Sequence, residues 1–207
     1  MYNKNMDINS SNPYNKHGHN QIKICVSGSA DTTFSGPDTL DIAKELGREI
    51  ARQGAVLVTG ATTGFPFWAA IGAKEEGGIS IGFSPAATEK EHVEVYKLPL
   101  DYMDLIIYTG FGYPGRDILL TRSSDAVICG PGRIGTIHEF TVAFEDYKPI
   151  GILKGPWDMS GELEDIIKKS HRPNDKIISG NDIKKLVTDI VVMTKKYKIE
   201  ENNKKSP

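Results

Sequence analysis

Six short apolar runs punctuate the chain, at residues 22–26, 55–58, 79–83, 105–108, 126–129 and 150–153, each bounded by Gly, Pro, Ser or Asp. Runs this short are read as buried parallel strands. Between them the apolar positions recur with helical spacing, most clearly over residues 39–52, where Leu40, Ile42, Ala43, Leu46, Ile50 and Ala51 trace one face. Pro37 is placed to open that helix and Gly54 to close it. Further helices are predicted over residues 161–169 and from 182 to about 197, the second entered through the turn Ser179-Gly180-Asn181. Strands alternating with helices require right-handed βαβ crossovers. The predicted fold class is therefore α/β: a doubly wound, mostly parallel, Rossmann-like sheet with helices on both faces.

Composition narrows the picture only a little. A chain of 207 residues suits one domain, here assigned to 21–197, with residues 1–20 as a disordered leader and 198–207 as a frayed tail. With 39% hydrophobic and 25% charged residues and a formal net charge of -2, it has the balance of a soluble globular protein. There is no basic stripe and no recognition motif, so no nucleic acid is expected as partner. No apolar stretch is long enough to cross a bilayer, and residues 1–20 hold no signal-peptide core, so the expected location is cytoplasmic, away from membranes. Cys25 and Cys129 lie inside strand-like runs and are read as core thiols without a disulfide.

Ligands of such sheets bind beyond the carboxyl ends of the strands. Three predicted turns there carry glycine: Ser27-Gly28-Ser29-Ala30, the turn from Thr59 and Gly60 to Gly64, and Gly130-Pro131-Gly132-Arg133-Ile134-Gly135-Thr136. The third is the most informative, because a strand runs through it into a helix. Unpaired N–H groups and a partial positive charge at a helix start, with glycines admitting a close approach, make an anion site to which Thr136 adds a hydroxyl. The absence of a following Gly-Lys-Ser/Thr excludes a Walker loop. Thr136-Ile137-His138-Glu139 also fits a capping box, with Thr136 as N-cap and Glu139 reaching back, and both roles can coexist.

The run Pro131-Gly132-Arg133-Ile134-Gly135-Thr136-Ile137-His138-Glu139 resembles the PGGxGTxxE motif of the LOG family, cytokinin-activating nucleoside 5′-monophosphate phosphoribohydrolases formerly labelled lysine decarboxylases. Gly115-Arg116-Asp117 and Thr121-Arg122-Ser123-Ser124-Asp125 are similar to the family's arginine-bearing helix, and Ile24-Cys25-Val26-Ser27-Gly28-Ser29 to its first strand and turn. The resemblance spans roughly residues 22–153. It implies a Rossmann-like homodimer that binds a nucleoside monophosphate and hydrolyses the N-glycosidic bond to free base and ribose 5-phosphate, with no metal and no redox cofactor. Glu139 and Arg116 match the family's catalytic pair. Glu139 would face the oxocarbenium charge that develops on the sugar. Gly132, Arg133, Gly135 and Thr136, with Gly28, Ser29, Gly60 and Arg122, would form the phosphate and nucleotide site.

The chain departs from the pattern in three places: Arg133 replaces the motif's second glycine, Ala61 and Thr62 interrupt the second glycine turn, and Asp117 stands where the family has a basic residue. Arg133 and Asp117 favour an alternative of a different class, a non-catalytic module that senses a nucleotide or carries a cofactor, as a molybdenum-cofactor carrier does. Retention of Glu139 favours the enzyme. Arg122 and Asp125, three apart, are equally explained by an intrahelical ion pair. His138 has no second ligand at metal spacing. Phe111 and Tyr113 are placed either to pack or to stack on a purine. No lysine stands in a pyridoxal-phosphate context, so decarboxylation is rejected.

Overall fold

A computed structural model describes residues 21–203; the expected leader, 1–20, lies outside the described residues. Seven strands form one all-parallel sheet in the order β4-β3-β2-β1-β5-β6-β7. They are β1 (Lys23–Ser27), β2 (Val56–Thr59), β3 (Ser80–Ser84), β4 (Leu105–Tyr108), β5 (Ala126–Cys129), β6 (Ile150–Leu153) and β7 (Ile177–Gly180). The helices between and after them are α1 (Thr39–Arg52), α2 (Phe65–Glu75), α3 (Glu89–Glu94), α4 (Gly112–Ser123), α5 (Ile134–Glu145), α6 (Met159–Ser170) and α7 (Ile183–Asn203).

The period-two alternation of each central strand divides its residues between two cores. Ile24, Val26, Leu57, Ala126 and Ile128 face α1, α2 and α7, where they meet Leu46, Ile50, Phe65, Val187 and Ile190. Cys25, Val56, Val58, Val127 and Cys129 face the opposite layer and meet Leu120, Phe140, Phe144 and Leu163 of α4, α5 and α6. Both cysteines are buried and free, as core thiols. The chain opens α1 after Pro37 with Asp38 as N-cap, and closes it into Gly54 at φ 71°, a left-handed position that glycine occupies without penalty.

The six predicted strands and the predicted helices are present, with bounds shifted by a residue or so. Two elements are absent from the sequence pattern. Residues 179 and 180, which read as a turn, end a seventh strand that pairs with β6 from Ile150↔Ile177 to Leu153↔Gly180. The six-residue α3 is capped by the Thr88 side chain, which accepts from Glu91 N. The last helix also runs to Asn203, well into the segment expected to fray. Among the described residues no helix is long and apolar enough to cross a membrane.

The order of the strands fixes where a ligand can enter. From β1 the chain winds outward through β2, β3 and β4, then returns to the other side of β1 to begin β5. Loops after β1 and β5 therefore leave in opposite directions, and a crevice opens at this reversal. Register brings the two strand ends level, with Ser27 paired to Cys129.

Candidate ligand-binding site

The loops that follow β1 and β5 are stitched together by their own backbones. Ser29 N donates to Pro131 O at 2.7 Å and Gly130 N to Ser27 O at 2.9 Å. Arg133 is the N-cap of α5, and no side chain caps the helix. The first intrahelical bond runs from Ile137 N to Arg133 O, so the N–H groups of Ile134, Gly135 and Thr136 find no acceptor among the described residues. Thr136 lies in the first turn instead of at the cap. Glu139 does not reach back to it, so the capping box is not formed.

The Glu139 carboxylate instead accepts a short hydrogen bond from the Ser27 hydroxyl at the end of β1. Burial, and then the charge of Asp117, push this carboxyl up to about 8; Arg116 and the Ser27 hydroxyl pull the other way. At neutral pH the Glu139 carboxyl therefore tends to hold its proton. Asp117 takes Arg116 Nε on one oxygen at 2.9 Å and faces His138 Nδ1 with the other at 3.2 Å. That contact gives His138 a partner in the protein.

Arg116 is buried, 6% exposed. Its Nη1 donates to the Gly60 carbonyl, in a short contact, and to Phe83 O at 3.2 Å, while its guanidinium lies 5.5 Å from the Tyr113 ring centre. A Cβ on Gly60 would sit 1.8 Å from Nη1, so a larger residue there would displace the guanidinium from this carbonyl.

A cavity of about 210 Å³ opens between these groups, and it is lined by Gly28, Ser29, Gly60, Arg116, Arg133, Gly135, Thr136 and Glu139 of the residues named from sequence. Gly132 sits under the Thr136 side chain and not on the wall; a Cβ there would come within 2.1 Å of Thr136 Oγ1. Arg122 is not part of the site. It is exposed and pairs with Asp146 at 3.2 Å, while Asp125 pairs with Lys23 and Lys198, so the intrahelical pair is not formed either. Of the two aromatics, Tyr113 lines the cavity and Phe111 is exposed as the N-cap of α4.

Two groups of the site carry no signal in the sequence. Asp31 stands beside the cavity-lining Arg133, its Oδ2 3.8 Å from Arg133 Nη1. Its carboxylate is held below the usual range by hydrogen bonds from the Thr33 hydroxyl and backbone N–H, with Arg133 adding less. Ser27 lies inside a motif-like run, but nothing in its spacing from Glu139, more than a hundred residues away, marks the pair.

Fold and site together define a class: a Rossmann-like α/β protein with an open, uncapped helix start beside a buried acid–arginine cluster at the strand reversal. More particularly, the chain belongs to the SLOG cluster4 family, whose profile matches residues 21–187. The likeness to LOG motifs is thus shown at the level of the wider SLOG group. An uncharacterised protein of Archaeoglobus fulgidus is 32% identical over 141 residues, covering 68% of this chain and 84% of the relative. Among solved structures, the molybdenum cofactor binding protein of Rippkaea orientalis is similar at 29% identity and TM-score 0.68, covering 84% of this chain and 99% of its own. The Moco carrier protein of Chlamydomonas reinhardtii is similar at 26% identity and TM-score 0.70, covering 86% and 99%.

Proposed function

We propose that this protein is a non-catalytic carrier that grips a phosphate-bearing cofactor of the molybdenum-cofactor kind at the start of α5. The observation that carries this reading is the commitment of Arg116 and Glu139 to the protein itself. Arg116 spends Nε and Nη1 on Asp117, Gly60 and Phe83. Glu139 spends an oxygen on Ser27 and is pushed toward its neutral form. A neutral carboxyl cannot balance the charge of an oxocarbenium, and a guanidinium already paired has little left for a departing base.

The mouth is built differently from the floor. Three N–H groups without an acceptor among the described residues and the exposed Arg133 meet there, and a Cβ on Gly135 would touch nothing within 4 Å. A phosphate fits this cradle without displacing protein atoms. At about 210 Å³ the cavity is smaller than the ~300–1,000 Å³ of pockets that engulf a whole ligand. It suits a phosphate and the group attached to it, with the remainder of the cofactor projecting past Ile134, which is 79% exposed. A ligand held by one end is easily handed on. The likeness to proteins named for binding or carrying that cofactor, at 26 to 29% identity, supports the same reading.

Hydrolysis of a nucleoside 5′-monophosphate remains a second reading because one observation favours it: Glu139 and Arg116 share the cavity with Gly135 and Thr136. One experiment separates the two. The protein is titrated with molybdenum cofactor and with AMP, and incubated with a panel of nucleoside monophosphates while free base and ribose 5-phosphate are scored. Binding without base release from any of them is expected. Base release that Glu139→Gln abolishes would return the enzyme reading to first place. Release at pH 9 far exceeding that at pH 7 would point the same way, since Glu139 carries its charge above about 8.

We further propose that two copies pair through the edge formed by β4 and α4. Leu105 and Ile107 of β4 and Ile118 and Leu119 of α4, consecutive elements that both pack against β3, are exposed, and apolar side chains of this size gathered on one part of a surface suit an interface. Light scattering at micromolar concentration is expected to give twice the chain mass.

A further inference from the structure

Arg133 carries a cation whose hydrogen-bonding capacity is unspent. Its side chain is 62% exposed and approaches Asp31 at 3.8 Å, too far for a hydrogen bond, and it makes no hydrogen bond to a described residue. Asp31, by contrast, is fixed. Thr33 N and Oγ1 donate to its Oδ1 at 3.1 and 2.7 Å, and Ser29 Oγ, from the cavity wall, donates to its backbone carbonyl at 2.6 Å. The arrangement leaves Oδ2 turned toward Arg133, the residue that lines the cavity and is the N-cap of α5. Arg116, the other cation on the cavity wall, is already matched by Asp117.

We infer that Asp31 competes with the ligand's phosphate for Arg133, and so sets how much negative charge a ligand must bring to the mouth. The inference rests on the anion-binding reading above. A phosphate monoester offers close to two negative charges and several acceptor oxygens. It can take two guanidinium N–H groups at once while the helix N–H groups hold its remaining oxygens. A singly charged anion arriving beside a fixed carboxylate gains less, because it exchanges one carboxylate-like partner for another. Asp31 is therefore a positioning residue that acts through Arg133, and the arginine standing in a glycine's place in the loop motif acquires a purpose.

The test is calorimetric titration with AMP and with inorganic phosphate of the wild type, Asp31→Asn, Arg133→Gln and the double variant, at low and moderate salt. Asparagine keeps the acceptor that Thr33 requires, and both side chains are exposed, so thermal midpoints should stay within about 2 °C of one another. Asp31→Asn should tighten both probes by about two- to fivefold, the range of a partly exposed charge pair, and more at low salt than at moderate salt. Arg133→Gln should weaken both, and in its background Asp31→Asn should change nothing. Unchanged affinity in Asp31→Asn, or an equal gain with and without Arg133, overturns the inference and leaves the carrier reading standing. If neither probe nor molybdenum cofactor binds the wild type, the carrier reading falls and this inference falls with it.

Discussion

Two glycine-bearing turns lead from the same sheet edge into helices, and they come to opposite ends. After β2, Gly64 is the N-cap of α2 at φ 69° and ψ -139°. A Cβ there would lie 2.4 Å from the carbonyl oxygens of Ser29 and Ala30, and the first N–H of the helix, on Phe65, is taken by Ser29 O at 2.9 Å. Its glycine serves loop packing. After β5, the first-turn N–H groups of α5 have no acceptor among the described residues, and Gly135 faces open space. A glycine-rich turn at the carboxyl edge of a parallel sheet is therefore not by itself an anion site. What decides is how many N–H groups the helix start has left: at α2 the loop after β1 takes Phe65 N and Pro66 has none to offer, whereas at α5 three find no acceptor among the described residues.

The sharpest way to break that comparison is to add one methyl group to each turn. Gly64→Ala should cost about 3 kcal/mol or more in urea denaturation, since alanine has no relaxed conformation there and the clash is with backbone. Gly135→Ala should stay within about 1 kcal/mol of wild type and on the stabilising side, as alanine replaces glycine in a helix. Equal losses would mean that the second turn is packed as tightly as the first.

Gly135→Asp sharpens the functional side. An acidic residue in the first turn of a helix is favoured by its dipole by about 0.3–1 kcal/mol, so the fold should hold. The same charge in the cradle should weaken binding of AMP or inorganic phosphate by roughly thirtyfold, about 2 kcal/mol. Retained affinity would move the anion elsewhere.

Proton linkage tests the floor. Glu139 is pushed from 4.5 to about 8 in the folded protein, so the stability it contributes is fully present below about 4.5 and is lost as pH rises toward 8. Wild type should lose about 3 kcal/mol more than Glu139→Gln between pH 5 and pH 8 in urea melts. Parallel profiles for the two proteins would mean that the carboxyl is already charged at neutral pH. The smallest effect is expected for Arg122→Ala. An exposed pair with Asp146 should cost under about 0.5 kcal/mol, and ligand affinity should not change.

Much of the fold is legible in the order of residues alone. The strands of the two inner layers announce themselves because a strand buried on both faces must be apolar throughout, and 126–129 and 150–153 are placed to the residue. The loop from Gly130 to Thr136 can be singled out because glycine, a strand ahead of it and a helix after it are all local signals. β4, an edge strand too, is apolar throughout and is placed at 105–108 to the residue; β7 escapes because its sequence is not apolar throughout. Its residues Ser179 and Gly180 read as turn formers, and only β6 beside them makes them a strand. α3 escapes because a helix of six residues has too few positions to show a period.

By itself, then, the sequence determined the layered parallel sheet and the loop where an anion would sit, since both follow from short-range rules of burial and helix termini. Tertiary structure alone decided what stands around that loop. Ser27 meets Glu139 and Asp31 meets Arg133 across about a hundred residues; Gly60 and Phe83 receive a guanidinium from α4. These partners are chosen by strand order and register, which bring β1 beside β5, and a charge or hydroxyl carries no mark in the sequence of the group it will be folded against. The proton held by Glu139 is likewise a property of burial, which exists only once the chain has closed over it.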